Sequence, residues 1–328
     1  MNRPIRWGIL GTGNIARELT GSLKKMPDAE VVAVGSRSAA GANAFADAFA
    51  IRNRHASYEA LAHDPEVDIV YVTTPHTLHA ENTLLCLNAG KHVFCEKPFT
   101  LNASEAELVI RIARERGLFL MEAMCTRFMP IIQEARRLIE QGAIGKVMMA
   151  QGDFGLRIEA DPSHRLRDLA LGGGALLDVG IYPISLASFF LGPIVDVAAT
   201  AVLGATGVDE QTAVATRHEG GRVGMAYTTL HASTPMEAMV MGTTGRILFN
   251  DFAYKGDTLT LFTDGNEPRT ICMPFEGNGY QFELQHAMDC LHEGKTESGI
   301  MPLDESLSIM CALDKVRGQI GLRYPGEG

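Results

Sequence analysis

Hydrophobic positions in the first third of the chain fall into short unbroken runs, each followed by a stretch in which apolar residues recur at helical spacing. The runs at 5–10, 30–34, 67–72, 92–95 and 118–122 predict strands buried on both faces. The intervening stretches at 15–25, 39–49, 58–62, 78–88 and 104–116 predict helices. Gly90 and Gly117 stand where the last two of these should end. Ser104 reads as an N-cap, with Glu107 three residues on. Strand–helix alternation at this spacing predicts an α/β domain built on a doubly wound parallel sheet.

The pattern changes after about Met124. A helix is predicted over 131–141, followed by strand-like runs at 147–154, 195–202, 211–217, 222–229, 236–242, 245–250 and 258–263. Several of these are joined by glycine turns, such as Gly220-Gly221 and Gly242-Thr243-Thr244-Gly245. Helical patterns return at 280–293 and 303–320. This part predicts an α+β domain with a large, mainly antiparallel sheet, and the boundary between the two is placed at 124/125.

Length supports two domains, since 328 residues exceed one ordinary core. A content of 46% hydrophobic and 21% charged residues is that of a globular protein. A formal net charge of -10 argues against a nucleic-acid partner. Met1-Asn2-Arg3-Pro4 runs straight into a strand pattern, so no signal peptide is expected. The longest apolar stretch, 180–195, contains Pro183 and Pro193 and is too short to span a bilayer, so no membrane is expected. Six scattered cysteines without a CxxC suggest reduced thiols and a cytoplasmic protein. Ten histidines show no HxxxH or HExxH spacing, so no metal is expected.

The chemistry sits at the ends of predicted strands, where open parallel sheets bind ligands. Gly11-Thr12-Gly13-Asn14-Ile15-Ala16 follows the first strand and opens the first helix. That context turns a weak GxGxxA match into a dinucleotide fingerprint: a tight turn, close approach to a pyrophosphate, and a helix packed on the sheet. Residues 1–124 are therefore read as a dinucleotide-binding Rossmann domain. The second strand ends in Gly35-Ser36-Arg37-Ser38, with no acid for a ribose 2′-hydroxyl. Arg37, with Ser36 and Ser38, suits a 2′-phosphate, which favours NADP over NAD. Thr74, Pro75, His76 and His79 follow the 67–72 strand and read as cofactor-lining; packing roles for the two histidines remain equally open. Glu96-Lys97-Pro98 ends the 92–95 run, placing a lysine where chemistry occurs. Gly172-Gly173-Gly174 precedes Asp178 and Tyr182, which share a face if a helix starts there; a capping Asp178 and a core Tyr182 are the even alternative. Pro183 should kink that helix.

GTGNIA, the Ser36-Arg37-Ser38 turn, TPHTLHAE, CEKPFTLN, EAMCTRFMP and GGGALLDVGIYP together resemble the Gfo/Idh/MocA oxidoreductases over essentially the whole chain, and within them the dihydrodiol and NADP-dependent xylose dehydrogenase branch. The resemblance implies hydride transfer between NADP and a hydroxyl-bearing carbon of a sugar, polyol or diol. It carries the family's catalytic lysine onto Lys97 and its acid-plus-four pair onto Asp178 and Tyr182. Tyr182 is then the general base, with Lys97 favouring its phenolate and Asp178 orienting Lys97 or a substrate hydroxyl; the competing assignment gives the proton to Lys97. Glu96, Lys97 and Arg127 are expected at the cofactor, and Arg157, Asp178, Tyr182 and Tyr280 at the substrate. Arg165 and Arg167 flank the same region. Cys125 stands where a tryptophan is expected in the dihydrodiol enzymes, which leans toward a sugar or polyol. Residues 125–328 are read as a substrate-binding domain that forms a homodimer through its sheet. The alternatives are a non-catalytic NADPH-binding regulator and a family member that retains its cofactor through the cycle.

Overall fold

The structure is a computed structural model and describes residues 3–159, 161, 164–250 and 252–327. Met1 and Asn2 of the expected N-terminal run lie outside the described residues. In chain order the first elements are β1 (Ile5–Leu10), α1 (Asn14–Leu23), β2 (Ala29–Gly35), α2 (Ala39–Phe49), β3 (Asn53–His55), α3 (Tyr58–Ala62) and β4 (Ile69–Val72). Then come α4 (His79–Asn88), β5 (His92–Glu96), α5 (Ala103–Arg116), β6 (Leu120–Ala123), α6 (Pro130–Glu140), β7 (Val147–Gly155) and α7 (Ile181–Leu191). The rest are β8 (Ile194–Leu203), β9 (Asp209–His218), β10 (Arg222–Thr229), β11 (Ala238–Gly242), β12 (Gly245–Phe249), β13 (Thr258–Thr263), β14 (Arg269–Cys272), α8 (Tyr280–His292) and α9 (Leu303–Ile320).

The chain divides into two compact units, Met1–Met124 with Glu276–Leu307, and Cys125–Phe275 with Ser308–Gly328. The first holds a six-stranded sheet in the order β3-β2-β1-β4-β5-β6, every neighbour parallel. Strand order reverses beside β1, so the crevice at the carboxyl ends of β1 and β4 is the expected ligand position. Every residue of β4 and β6 is buried, which is why β4 reads as an unbroken apolar run and β6 as one broken only by Glu122. β3, an edge strand of sequence Asn-Arg-His, has no such run and is invisible to that reading. The cap of α5 is Asn102, not Ser104: its Oδ1 accepts from Glu105 N at 2.9 Å, and the Glu105 carboxylate accepts from Leu101 N at 3.0 Å. Asn-x-x-Glu satisfies the same capping box two residues earlier.

The boundary at 124/125 does not hold for Glu276–Leu307, which joins the first unit. Ser22 Oγ meets Asn278 Oδ1 at 2.8 Å, Leu120 N donates to Thr296 O at 3.1 Å, and Ser306 Oγ donates to Glu122 Oε2 at 2.7 Å. An amphipathic pattern shows that a helix has an apolar face, not which core receives it.

The second unit holds an eight-stranded sheet in the order β14-β13-β12-β11-β7-β10-β9-β8. All pairs are antiparallel except β7 with β10. α7 packs against β7 and β10 and is apolar on all sides, as a buried helix must be. The helical run Leu169–Leu191 is long and apolar enough to cross a membrane, more than 180–195 suggested, but 89% of its most apolar window is buried within the protein. The opposite face of the sheet is open: β9 alternates from Glu210 onward, and β10 turns Val223, Met225 and Tyr227 outward.

Candidate functional site

In the first unit the glycine loop joins β1 to α1. Gly11 has φ +113°, and a Cβ there would lie 2.5 Å from Thr73 Oγ1, so only glycine fits. Gly13 is the N-cap of α1 with an ordinary φ of −73°, and no protein atom lies within 4 Å of where its Cβ would be. The fold does not need glycine at 13; an approaching phosphate does. The first turn of α1 carries no acid and its N-cap supplies no side-chain acceptor, which leaves the helix N-terminus available to an anion. Asn14 is exposed, Thr12 and Ile15 are half-buried, and Ala16 is buried against the sheet. These residues fit a dinucleotide pyrophosphate.

At the end of β2, Ser36 is buried and its N–H donates to His55 O at 3.1 Å. Ser38 caps α2, accepting from Gly41 N at 3.2 Å. Arg37 is exposed and reaches the Tyr58 hydroxyl; burial pushes that phenol up and the guanidinium pulls it back.

The ends of β4 and β5 are tied together. Thr73 N donates to Leu10 O at 2.9 Å, and Asn82 Nδ2 donates to Thr74 Oγ1 at 3.2 Å. Pro75 is half-buried and leads a 3₁₀ turn, His76–Leu78, in which His76 is buried. His79 is fully buried, its Nδ1 2.7 Å from Pro98 O and its Nε2 2.9 Å from Thr74 O. Burial pushes this imidazole down to about 4. Both ring nitrogens of His79 are thus engaged by backbone carbonyls. Glu96 is also buried: its carboxylate accepts from the Tyr71 hydroxyl and, at 3.3 Å, from Lys97 N. These bonds anchor the strand end from inside. Lys97 is half-buried, the Lys97–Pro98 peptide is cis, and Phe99 N is held by Glu122 Oε1 at 3.0 Å.

In the second unit Gly174 has φ +122°, and a Cβ there would lie 2.2 Å from Asp209 Oδ1. The Asp209 carboxyl is pushed up to about 7 by burial, although Thr212 Oγ1 at 2.6 Å and Leu176 N at 2.8 Å both donate to it. Tyr324 donates to Gly173 O at 2.7 Å. The pinned glycines lead into a π-helical turn, Leu176–Gly180, a form frequent at functional sites. It carries Asp178, which is buried and bonded by Arg165. α7 follows with Tyr182, half-buried and 5.3 Å from the Phe154 ring and 5.6 Å from the Tyr254 ring. Phe154 stacks on Tyr254 at 5.0 Å and meets Phe252 edge-on at 5.9 Å.

This aromatic wall is absent from the sequence reading. Its only signal is Phe154 as the last bulky residue of a strand, and that does not show which rings it joins. The arginines also fall differently from expectation. Arg127 is buried, donating to Ser185 Oγ and Ser185 O at 2.9 Å against the Phe189 ring in the core of the second unit. Arg157 is exposed on the segment after β7; Arg165 is the one bonded to Asp178. Tyr280, expected on the second domain, opens α8 in the first unit. Cys125 is buried. Among the described residues no group of three or more His, Cys, Asp or Glu is placed to hold a metal ion.

Comparison with known proteins agrees with this chemistry. Residues 5–124 match the profile described as "Oxidoreductase family, NAD-binding Rossmann fold", and residues 132–248 match the GFO/IDH/MocA C-terminal domain. Trans-1,2-dihydrobenzene-1,2-diol dehydrogenase of Xenopus laevis is 36% identical over 331 residues, covering 98% of this chain and 99% of the relative. The Homo sapiens protein of that name is 35% identical over 333 residues, with the same coverage. Among solved structures, a 3-ketoreductase from Actinomadura kijaniata in complex with NADP and TDP-benzene is 27% identical, with a TM-score of 0.87 over 97% of this chain and 98% of that one. An aldose-aldose oxidoreductase from Caulobacter crescentus is 26% identical, with a TM-score of 0.88 over 97% of each chain. Two family profiles along one chain, and near-complete coverage of relatives above 30% identity, place it: the protein belongs to the Gfo/Idh/MocA oxidoreductase family and is an NAD(P)-dependent dehydrogenase acting on CH–OH groups.

Proposed function

We propose that the enzyme is NADP-dependent and oxidises a secondary or hemiacetal hydroxyl of a sugar or polyol, with trans-dihydrodiols as the neighbouring substrate class. The observation that carries this reading is Tyr182: a half-buried phenol set against the rings of Phe154 and Tyr254, one turn beyond a buried aspartate held by Arg165. Ring faces suit the C–H faces of a sugar or cyclic diol. The names of the relatives support the class, since they include diol dehydrogenases, a ketoreductase and an aldose oxidoreductase. The buried thiol at Cys125 supplies no ring face there, which favours the sugar side. Arg37, at a strand end without an acid, supports NADP.

When bound, the nicotinamide supplies the hydride acceptor. The protein's part is position and proton. In the second unit Tyr182 takes the proton of the substrate hydroxyl, and Asp178 with Arg165 orients the neighbouring hydroxyl. The competing assignment passes the proton to Lys97 and leaves Tyr182 to bind substrate.

We also propose a homodimer through the open face of the eight-stranded sheet. Met225 and Tyr227 on that face are 52% and 50% exposed, in line with Val223 on the same strand. An apolar sheet face of this kind is the mark of an interaction surface.

The test is a panel of pentoses, hexoses and trans-diols with NADP⁺ and NAD⁺, read at the reduced-nicotinamide absorbance. Turnover of at least one member, faster with NADP⁺, is expected. No turnover on any member would favour a cofactor-binding regulator, and nicotinamide surviving purification would favour an enzyme that retains it. Tyr182→Phe should leave cofactor binding intact and cost on the order of 10²–10⁴ in turnover.

A further inference from the structure

His79 joins two strand exits that diverge in sequence. Thr74 O belongs to the segment leaving β4, and Pro98 O to the segment that leaves β5 and carries Lys97. β4 and β5 are hydrogen-bonded neighbours, with Val72 opposite Cys95, so the imidazole closes a gap where the two chains have just parted. The ring is fully buried and lies on the first residue of α4. Three further bonds fix the same stretch: Asn82 to Thr74, Lys97 N to Glu96, and Phe99 N to Glu122. Of these contacts, only His79 ties the Lys97–Pro98 peptide to the neighbouring exit.

Carbonyl oxygens only accept, so a neutral imidazole donates to one of its two neighbours. Burial keeps this ring neutral near pH 7. Its titratable neighbours include the His76 ring, edge-on at 5.7 Å, and Lys97, whose charge also disfavours a second proton. The shorter contact, 2.7 Å, is to Pro98. We propose that His79 is a positioning residue for Lys97: its Nδ1–H, bonded to Pro98 O, fixes the backbone from which the lysine side chain departs. This rests on the reading of Lys97 as part of a dehydrogenase site.

Amide side chains separate the two contacts. The Asn amide nitrogen falls near the position of Nδ1, and the Gln amide nitrogen near that of Nε2. His79→Ala, His79→Asn and His79→Gln would be compared as purified full-length protein for melting temperature, NADP⁺ Kd, kcat and KM. An independent readout is reductive ¹³C-methylation, following the Lys97 signal assigned by its loss in Lys97→Arg. Misplacement of a reacting group by about 1 Å can cost on the order of 10²-fold, so a fall in kcat of about tenfold or more is expected for Ala and Gln. Asn should restore most of kcat and return the Lys97 signal toward its wild-type position, with NADP⁺ Kd within about twofold throughout. Equal losses in Asn and Gln, restoration by Gln in place of Asn, or a loss confined to NADP⁺ Kd would each overturn the proposal. If wild type turns over nothing in the panel, the dehydrogenase reading fails on its own, and the Lys97 signal still decides whether His79 positions that side chain.

Discussion

Arg165 holds Asp178 from both arms of its guanidinium, Nη1 and Nη2 each 3.1 Å from the same Oδ1. The arginine is more than half exposed and the carboxylate is buried, so the pair carries a charge from solvent into the interior. Arg165→Ala strips the buried carboxylate of this partner. It should lower unfolding free energy in urea by about 1–3 kcal/mol, the worth of charge-assisted bonds. It should also cut kcat/KM for substrate while leaving NADP⁺ Kd unchanged. Arg165→Lys should recover little, because an ammonium cannot reproduce the fork.

The two loop glycines should part company on substitution. Gly11→Ala forces a Cβ to 2.5 Å from Thr73 Oγ1 at a φ of +113°, and should destabilise the fold by about 1–3 kcal/mol. Gly13→Ala meets nothing within 4 Å at an ordinary φ. It should melt like wild type yet bind NADP⁺ at least about tenfold more weakly, since the methyl group occupies space a phosphate needs. Calorimetry and fluorescence titration of the two variants separate the effects.

Arg37 is exposed, so its removal should not touch stability. Losing a charge-assisted bond of about 1.5–3 kcal/mol to a 2′-phosphate raises KM for NADP⁺ by about 10- to 100-fold. KM for NAD⁺ should stay within about twofold, because NAD lacks that phosphate. Parallel initial-rate measurements with Arg37→Ala check the ratio.

Asp209 couples stability to pH. Its carboxyl titrates at about 7 in the fold because of burial, against about 3.9 in an unfolded chain. Between those values the folded state holds a proton that the unfolded state has lost, so its contribution to stability is complete at the acid end and disappears as pH rises through about 7. Asp209→Asn keeps an acceptor for Thr212 and Leu176 and removes the titration. Urea unfolding should show the variant gaining on wild type by on the order of 2–3 kcal/mol between pH 5 and pH 8.

What the sequence made legible was set by local physics. α2 and α3 occupy the predicted 39–49 and 58–62 because Ser38 and Ser57 cap them through their own side chains. The two missed strands, β3 and β14, are both sheet edges, short and polar, where pairing comes from a neighbour rather than an apolar run. Among the candidate residues, Gly11, Gly13, Arg37 and Lys97 in the first unit and Asp178 and Tyr182 in the second stood out because spacing and chemistry mark them. The partners of those residues did not. Nothing local distinguishes Arg165, which reaches Asp178, from Arg127, which is spent on Ser185. Nor does spacing gather Phe154, Phe252 and Tyr254 around one phenol, since long-range packing decides it.

The late segment Glu276–Leu307 sets an order on synthesis. The glycine loop and Lys97 leave the ribosome early, but Ser22, Leu120 and Glu122 wait for Asn278, Thr296 and Ser306. Domains fold as units while the chain is being made, at about 5–20 residues per second. The nucleotide half of this protein is thus finished only after nearly all of the other half has emerged. A gene fragment cut after residue 124 encodes a sheet with its final helix missing, and a nascent chain stalled short of residue 307 carries the whole glycine loop without the surface that completes its fold.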